Sequence, residues 1–421
     1  MHPRKGVTLP KRRGQPDGKG TEPKTGINRR VVLGGLSSIV ASALSGPTPA
    51  MALPEGDQQS KPAVPDTRLR KIATEEAFTI PEVAEAMRDV IKQGGTNLDL
   101  KVLSLIYDAT PESPTSARQS TVAPTTTNRD ASARAFLPRL LNLDATRISE
   151  MDANGVDMHV LSLAIPGVQM FEADKAVALA RLSNDRLSET MRSHPTRFAG
   201  LATFAPQDPR AAVVEMERAI NTLKLNGFLV NSHTQNVYLD DSRCWPILEA
   251  AEALGAPLYL HPRAPSDGMA APFRDYLMEG GIWGYGVEAS THALRLMLSG
   301  VLDRFPRLRI VLGHMGEGLP FWLWRLDLMA APGSRAALKN KLKPSEYMQR
   351  NFAITTSGLE DPQALRFCID KVGLDRIMWA IDYPFRPTAP AVKFIESATL
   401  SDQERAQVAF QNAQRIFRLP K

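Results

Sequence analysis

Short apolar runs alternate with longer amphipathic stretches from about residue 69 to the end of the chain. Eight runs have the length and apolar character of buried strands: residues 69–78, 157–164, 198–205, 227–233, 257–262, 309–315, 351–358 and 377–385. Five stretches between them place apolar residues three and four positions apart, as amphipathic helices do: residues 175–192, 209–224, 242–254, 287–304 and 362–372. This alternation predicts an α/β fold, and the number of strands favours a closed (β/α)8 barrel (TIM barrel) over an open parallel sheet.

Residues that commonly cap helices support these boundaries. Asp208, Asp241 and Asp361 each stand at the start of a helical stretch, where a short acidic side chain can accept hydrogen bonds from free backbone N–H groups. Gly255 and Gly373 follow two of the stretches, and glycine is the residue at which helices most often end.

Residues 95–135 interrupt the pattern between the first two strands. Their second half, residues 110–135, is polar and rich in turn-forming residues. In a barrel this insertion would belong to a strand-to-helix connection and overhang the face that carries active sites. A disordered insertion is the alternative.

The positive charge of the chain is concentrated at its N-terminus. The 421 residues include 51 Lys and Arg and 45 Asp and Glu, a formal net charge of +6. Nine of the basic residues and two of the acidic ones fall in residues 1–52, so residues 53–421 carry a net charge of −1. The folded part is therefore not basic, and nucleic acid is not expected as a partner.

Residues 1–52 have the parts of an export signal. Arg29 and Arg30 precede a weakly apolar stretch, residues 31–45, and Ala50-Met51-Ala52 offers a small-x-small cleavage site. The apolar stretch is too short for a stable membrane span. The pattern resembles a twin-arginine signal and predicts export to the periplasm, with a cytoplasmic protein that carries a basic tail as the alternative. Residues 53–68, which are polar and rich in proline, would link this signal to a domain of residues 69–421.

Polar residues stand at the ends of four of the predicted strands. Strict alternation along the first strand puts Glu75 on the inward face together with Lys71, Ala73 and Ala77, and turns Glu76 towards the helices. His261, His314 and Asp382 follow the apolar bodies of the fifth, sixth and eighth strands. Barrel enzymes keep their sites at these strand ends, so the four side chains are expected to lie together.

Glu75, His261 and Asp382 make a set of two carboxylates and one imidazole. Such a set suits one divalent cation, Zn²⁺, Mn²⁺ or Mg²⁺, with coordination positions left for water and substrate. His233 ends the fourth strand and is a candidate for the border of the same pocket.

Five segments carry a resemblance to a known family: KIATEEAF, LYLHPR, THALRLMLSGVLDRFPRLRIVLGHMGEGLPFWLWRLD, NFAITTSG and IDYPF. The chain resembles the amidohydrolase-related (ACMSD-like) metal-dependent decarboxylases, in particular those that act on 2,3-dihydroxybenzoate and γ-resorcylate. This resemblance implies an amidohydrolase-type barrel and a homo-oligomer. It assigns the metal to Glu75, His261 and Asp382, and catalysis to Asp382, His314 and Glu317. Substrate contacts would come from Arg325, Ala77, Phe385 and His233.

The chain departs from the wider superfamily in ways that bear on its chemistry. Glu75-Glu76-Ala77 replaces the first-strand His-x-His, and the fourth strand ends without a bridging lysine, so one metal ion is expected rather than two. The activity implied is non-oxidative decarboxylation of a hydroxylated aromatic, or similar enol, carboxylic acid. Two alternatives remain: metal-dependent hydrolysis of a lactone or amide, and an exported barrel that binds an aromatic acid without catalysis.

Overall fold

The computed structural model describes residues 68–95, 97–107 and 136–420, which belong to one compact unit of the chain. The predicted export signal, the linker and the greater part of the insertion lie outside the described residues. Among the described residues, no helix has both the length and the apolar character needed to cross a membrane.

Eight parallel strands pair in sequence order, each with the next along the chain, which confirms the barrel. The strands are β1 Ile72–Phe78, β2 Met158–Leu163, β3 Phe198–Ala202, β4 Gly227–Asn231, β5 Leu258–His261, β6 Ile310–Leu312, β7 Phe352–Thr355 and β8 Ile377–Met378. Each lies within one of the eight predicted runs. Most are shorter than the run, because the residues that follow them leave the ladder to form the loops of the strand-end face.

The helices surround the strands. They are α1 Pro81–Gln93, α2 Asp99–Tyr107, α3 Phe136–Leu141, α4 Ala145–Ala153, α5 Ala173–Ser193, α6 Pro209–Asn221, α7 Trp245–Leu254, α8 Gly284–Leu298, α9 Val301–Arg304, α10 Leu319–Met329, α11 Pro344–Asn351, α12 Pro362–Val372, α13 Thr388–Ser397, α14 Asp402–Ala406 and α15 Asn412–Ile416. The predicted caps are in place: the carboxylates of Asp208, Asp241 and Asp361 accept backbone N–H bonds at 2.7–3.1 Å. Gly255 ends α7 in a left-handed conformation.

The inner face of the barrel is a separate apolar layer. Its buried residues come from all eight strands, and the segment around α15 closes one end of it with Ile416 and Phe417. The strand members are Ile72, Met158, Val160, Ala199, Leu201, Leu229, Tyr259, Val311, Ala353 and Met378.

The predicted alternation along β1 is wrong at one place. Ile72, not Ala73, belongs to the inner layer, and Ala73 packs in the outer core against the helices. The register with β2 shifts between Ala73 and Glu76, where three steps on β1 face two on β2. This bulge adds one residue to β1, so Glu75 points inwards although Ala73 does not. Strict alternation from Ala73 had predicted the same direction for Glu75 without a bulge.

Residues 379–383, which follow β8, are hydrogen-bonded to β1 through backbone and side-chain groups. The Ala77 N–H donates to the Tyr383 carbonyl at 2.7 Å, and the Thr74 hydroxyl donates to the Trp379 carbonyl at 2.9 Å. We call this contact between β1 and residues 379–383 the seam of the barrel.

Part of the predicted insertion is helical. Helix α2 leads towards residues 108–135, and Asp99 in its first turn forms a buried ion pair with Arg263, two residues after β5. The start of the insertion is thus attached to the loop that follows His261.

Candidate metal centre

The strand ends bring the predicted residues together. Glu75 lies near the end of β1, His261 is the last residue of β5, and His314 and Asp382 follow β6 and β8. Ligand atoms of Glu75, His314 and Asp382 lie within 4.8 Å of one another. His261 Nε2 is 3.3 Å from Glu75 Oε1, so the fourth residue belongs to the same group.

The two oxygens of Glu75 have different surroundings. Oε2 accepts hydrogen bonds from three hydroxyls, those of Tyr259, Thr355 (2.9 Å) and Ser357. Oε1 is buried, meets no hydrogen-bond donor among the described residues by distance and angle, and faces the Nε2 atoms of His261 and His314, the latter at 3.7 Å. One oxygen is fixed by the protein, and the other is left for a ligand.

Glu75 is held in its ionised form. Burial by itself raises the pKa of this carboxyl, but the charge of His314, the neighbouring His261 and the Ser357 hydroxyl outweigh burial and lower the pKa to about 2. The side chain is 2% exposed, and a buried charge is stable only beside a group of opposite charge.

His261 is oriented by its own backbone neighbour. Nδ1 donates to the Pro262 carbonyl at 2.8 Å, which directs Nε2 at Glu75 Oε1, and in the neutral imidazole Nε2 carries a lone pair. In that neutral form the lone pair and the ionised oxygen, 3.3 Å apart, repel each other unless a cation lies beside both.

His314 is paired with the predicted acidic partner. Its Nδ1 lies 2.8 Å from Glu317 Oε1, and its backbone N–H donates to the Ser357 hydroxyl at 3.1 Å. Burial lowers the pKa of His314, but the carboxylates of Glu317, Glu75 and Asp382 together raise it well above the ordinary value. The carboxylates around His314 therefore favour its protonated form.

A left-handed turn makes the His314–Glu317 pair possible. Five consecutive residues have positive φ: 48° at His314, 54° at Met315 and Glu317, 74° at Gly316 and 76° at Gly318. Such conformations cost about 1–3 kcal/mol each in non-glycine residues and concentrate at functional sites. Gly313, just before the turn, has no room for a side chain, because a Cβ there would lie 2.9 Å from a carboxylate oxygen of Glu75.

Asp382 also has a left-handed backbone, with φ of 74°. Its Oδ2 lies 3.9 Å from His314 Nε2. Burial raises the pKa of Asp382 and the Glu75 charge adds to that rise, while His314 opposes it; the net direction is upward. Two carboxylates of opposite tendency therefore share the site, Glu75 ionised and Asp382 the more easily protonated.

A cavity opens beside these groups. It is lined by Glu75, Ala77, Ser162, Leu163, Ala164, Ile165, His261, Asp382 and Phe385. Ala77 and Phe385, both predicted substrate contacts, are among the lining residues.

Two other predicted substrate contacts lie elsewhere. His233 is 5% exposed, and backbone groups engage both of its ring nitrogens, with Nε2 3.2 Å from the Ala264 carbonyl and Nδ1 accepting the Asn236 N–H at 3.3 Å. This bonding leaves no ring nitrogen of His233 for a substrate. Arg325 is exposed on α10, outside the residues that line the cavity.

Sequence reasoning missed the side chains that support the centre. Tyr259 precedes His261 by two positions, and Thr355 and Ser357 are likewise two apart, so period-two alternation puts each pair on the inner face. The sequence signal for such a supporting side chain is a polar residue two positions before a ligand at a strand end, as Tyr259 is before His261. Glu76, on the face of β1 opposite to Glu75, was expected only to face the helices. Its buried carboxyl group also accepts the N–H groups of Ile381 and Tyr383, each at 3.0 Å, and burial raises its pKa to about 8 against the lowering effect of those bonds.

The donor set fits a divalent cation. An ionised oxygen without a hydrogen-bond donor, a directed imidazole nitrogen and a second carboxylate converge at the strand ends of a parallel barrel. Fold and site together define a metal-dependent (β/α)8-barrel enzyme.

The chain belongs to the family described as Amidohydrolase, whose model matches residues 135–419. It is similar to a γ-resorcylate decarboxylase from Polaromonas sp., with 39% identity over 67% of this chain and 89% of that protein. The crystal structure of 5-carboxyvanillate decarboxylase from Sphingomonas paucimobilis matches 84% of this chain and all of that one, with 50% identity and a TM-score of 0.76. The same enzyme from Novosphingobium aromaticivorans, complexed with manganese and 4-hydroxy-3-methoxy-5-nitrobenzoic acid, has 36% identity and a TM-score of 0.75, covering 83% of this chain and 96% of that one.

Proposed function

We propose that this protein is a metal-dependent carboxy-lyase that removes CO2 from a hydroxylated aromatic carboxylic acid without oxidation. The observation that carries the proposal is the ionised Glu75 Oε1, without a hydrogen-bond donor and faced by imidazole nitrogens, in a chain whose relatives act on γ-resorcylate and 5-carboxyvanillate. An ortho-hydroxybenzoate has two adjacent oxygens that suit such a centre.

Glu75, His261 and Asp382 are the proposed metal ligands. His261 has a free Nε2 lone pair, because its Nδ1 is used by the Pro262 carbonyl. His314 lies in the same group of side chains, and we assign it to the substrate side of the centre because Glu317 holds its Nδ1 and the surrounding carboxylates raise its pKa. A bound cation, manganese by analogy with the relatives, would act as a Lewis acid and template for the substrate carboxylate and its neighbouring oxygen.

His314 and Glu317 form the proposed electrostatic and proton-holding pair. Glu317 fixes the imidazolium through Nδ1, so Nε2 remains directed into the centre. The imidazolium at this position would stabilise the phenolate form of the substrate hydroxyl, or return a proton to that oxygen.

Asp382 is the proposed carbon acid. Burial raises the pKa of this carboxyl, and in its protonated form it would give its proton to the ring carbon that bears the carboxylate. Aromaticity is lost at this step. The bond between ring and carboxylate carbon then breaks, its electron pair returns to the ring, and CO2 leaves. Asp382 regains a proton from solvent, so one proton is consumed for each CO2 released.

Hydrolysis of a lactone or amide is the competing activity. A panel of 2,6-dihydroxybenzoate, 2,3-dihydroxybenzoate and 5-carboxyvanillate, with unsubstituted benzoate as control, separates the two when loss of ultraviolet absorbance and CO2 are measured in parallel. In D2O the product of decarboxylation must carry one deuterium on the carbon that lost CO2. A product that retains its carboxylate and gains the elements of water would reject the proposal.

A homo-oligomer is part of the proposal. Helix α10 presents large apolar side chains to solvent, with Phe321 73%, Trp324 74% and Leu328 61% exposed. Apolar patches of this kind mark interaction surfaces. Arg325, on the same helix, would meet the substrate of a second copy rather than of its own barrel. Trp324→Glu should shift the mass measured by light scattering towards the monomer.

Export through residues 1–52 also remains a proposal, supported by Arg29, Arg30 and the small-x-small site. Arg29→Lys with Arg30→Lys should retain an active protein in the cytoplasm. Export of the double variant at the normal level would contradict a twin-arginine signal.

A further inference from the structure

Asp382 has a main-chain conformation that needs external support. Its φ of 74° lies in the left-handed region, which is unfavourable for a residue with a Cβ atom. Relaxation of this residue to an ordinary conformation would redirect its carboxylate away from Glu75 and His314. The surroundings must therefore stabilise the left-handed form.

The N–H groups on both sides of Asp382 point to one side chain. Glu76, fully buried, accepts from Ile381 through Oε1 and from Tyr383 through Oε2, both at 3.0 Å. A single carboxyl thus spans the residue that carries the second metal carboxylate. Glu76 lies on the face of β1 opposite to Glu75, so one strand supplies both a ligand and the support of the other ligand.

A buried arginine completes this arrangement. Arg147 lies with its guanidinium 4.7 Å from the centre of the Tyr383 ring and donates to the Ala77 carbonyl at 2.8 Å. Burial lowers the pKa of Arg147 to about 10, and the nearby Tyr383 and Glu76 oppose that fall. Because Ala77 and Tyr383 are also hydrogen-bonded to each other, the support reaches both sides of the seam.

We propose that Glu76 is a positioning residue that holds Asp382 in its left-handed conformation and thereby completes the metal centre. The inference rests on the proposed function only in that Asp382 is taken as ligand and carbon acid. Loss of one Glu76 acceptor is expected to weaken metal binding and turnover, beyond any loss of stability.

Glu76→Gln tests this role with little change of volume. The amide oxygen can still accept one backbone N–H, but the NH2 group faces the other N–H and leaves it unpaired. Glu215→Gln is the matched control, because Glu215 is 3% exposed and accepts from Asn184 and Arg218 on the helical layer of the barrel. Metal-free proteins are titrated with Mn²⁺ by calorimetry, and kcat and KM are measured at saturating Mn²⁺.

Both variants should unfold at a lower temperature than the parent. Only Glu76→Gln should bind Mn²⁺ at least about tenfold more weakly, the scale found for groups that orient metal ligands, and show a lower kcat with KM little changed. Parent-like Mn²⁺ affinity and kcat in folded Glu76→Gln, or changes equal to those in Glu215→Gln, would overturn the proposal.

If Glu76→Gln does not fold, hydrogen exchange in the parent protein tests the inference instead. Amide hydrogen exchange of the peptide containing Ile381 and Tyr383 should be strongly protected in the metal-free protein, because Glu76 holds both N–H groups. Exchange at unprotected rates would overturn the inference. Neither exchange nor Mn²⁺ titration involves a substrate, so failure of the decarboxylase proposal would be seen separately.

Discussion

The Tyr259 hydroxyl offers a direct test of how the metal centre is supported. Tyr259 is fully buried in the inner layer of the barrel, and its hydroxyl donates to Glu75 Oε2. Tyr259→Phe removes this donor together with the 3.0 Å contact between the Tyr259 and Thr355 hydroxyls. A hydrogen bond to a charged group contributes about 1.5–3 kcal/mol to stability. Loss of a group that orients a metal ligand weakens metal binding about 10- to 100-fold.

The lower end of that range is expected here. Thr355 and Ser357 still donate to the same oxygen, so the carboxylate loses one of three supports. We therefore predict Mn²⁺ binding about tenfold weaker than in the parent, equivalent to about 1.4 kcal/mol.

Tyr347→Phe is the matched control. Tyr347 is equally buried, lies on α11 in the outer core, and donates to the Asp303 carboxylate at 2.6 Å. Both variants lose a tyrosine–carboxylate hydrogen bond, and both should show a lower temperature of thermal unfolding. Calorimetric titration of the metal-free proteins should show weaker Mn²⁺ binding only for Tyr259→Phe. Equal affinity in the two variants would refute the reasoning, because the hydroxyl would then contribute stability alone.

Three further predictions follow from the site. Asp382→Asn should lose nearly all turnover and part of its metal affinity while circular dichroism shows the parent fold; turnover near the parent level would exclude it as the carbon acid. His314→Ala should retain the metal and lower kcat about 10²- to 10⁴-fold, measured at saturating substrate. Burial and the charge of Arg263 lower the pKa of His233 to about 4. Between pH 6.5 and pH 4 the imidazole is therefore protonated in the unfolded chain and neutral in the folded protein, so a fall in pH favours unfolding. The parent should lose about 3 kcal/mol of stability over that window, and His233→Gln should lose correspondingly less in urea unfolding at pH 7 and pH 4.

Much of the architecture could be predicted because it depends on local rules. The aspartates before α6 and α12 cap these helices through bonds to the second and third backbone N–H groups, and both helices begin at the predicted residue. Strand ends were equally accessible, since an apolar run followed by a polar residue marks the point where a barrel strand opens to the site. The positions of Glu75, His261, His314 and Asp382 follow from that rule.

The finer geometry of the centre depends on features without a period. The bulge in β1 adds a residue that alternation does not count, so Ala73 was assigned to the wrong face. The left-handed backbones at His314 and Asp382 could not be predicted from residue type, because histidine and aspartate adopt this conformation far less often than glycine does. Their conformations are imposed by contacts distant in sequence, such as the Ser357 hydroxyl on the His314 N–H.

Of the two carboxylates of the centre, Glu75 lies on β1 and Asp382 follows β8, so the distance between them depends on how the barrel closes. The seam is held by the Ala77–Tyr383 backbone bond and by the side chains of Thr74 and Glu76, all of which lie within three residues of Glu75 or Asp382. A substitution at the seam therefore acts on closure and on ligand geometry at once. A cation shared by Glu75 and Asp382 would in turn join the same two strands, which couples metal binding to closure of the fold.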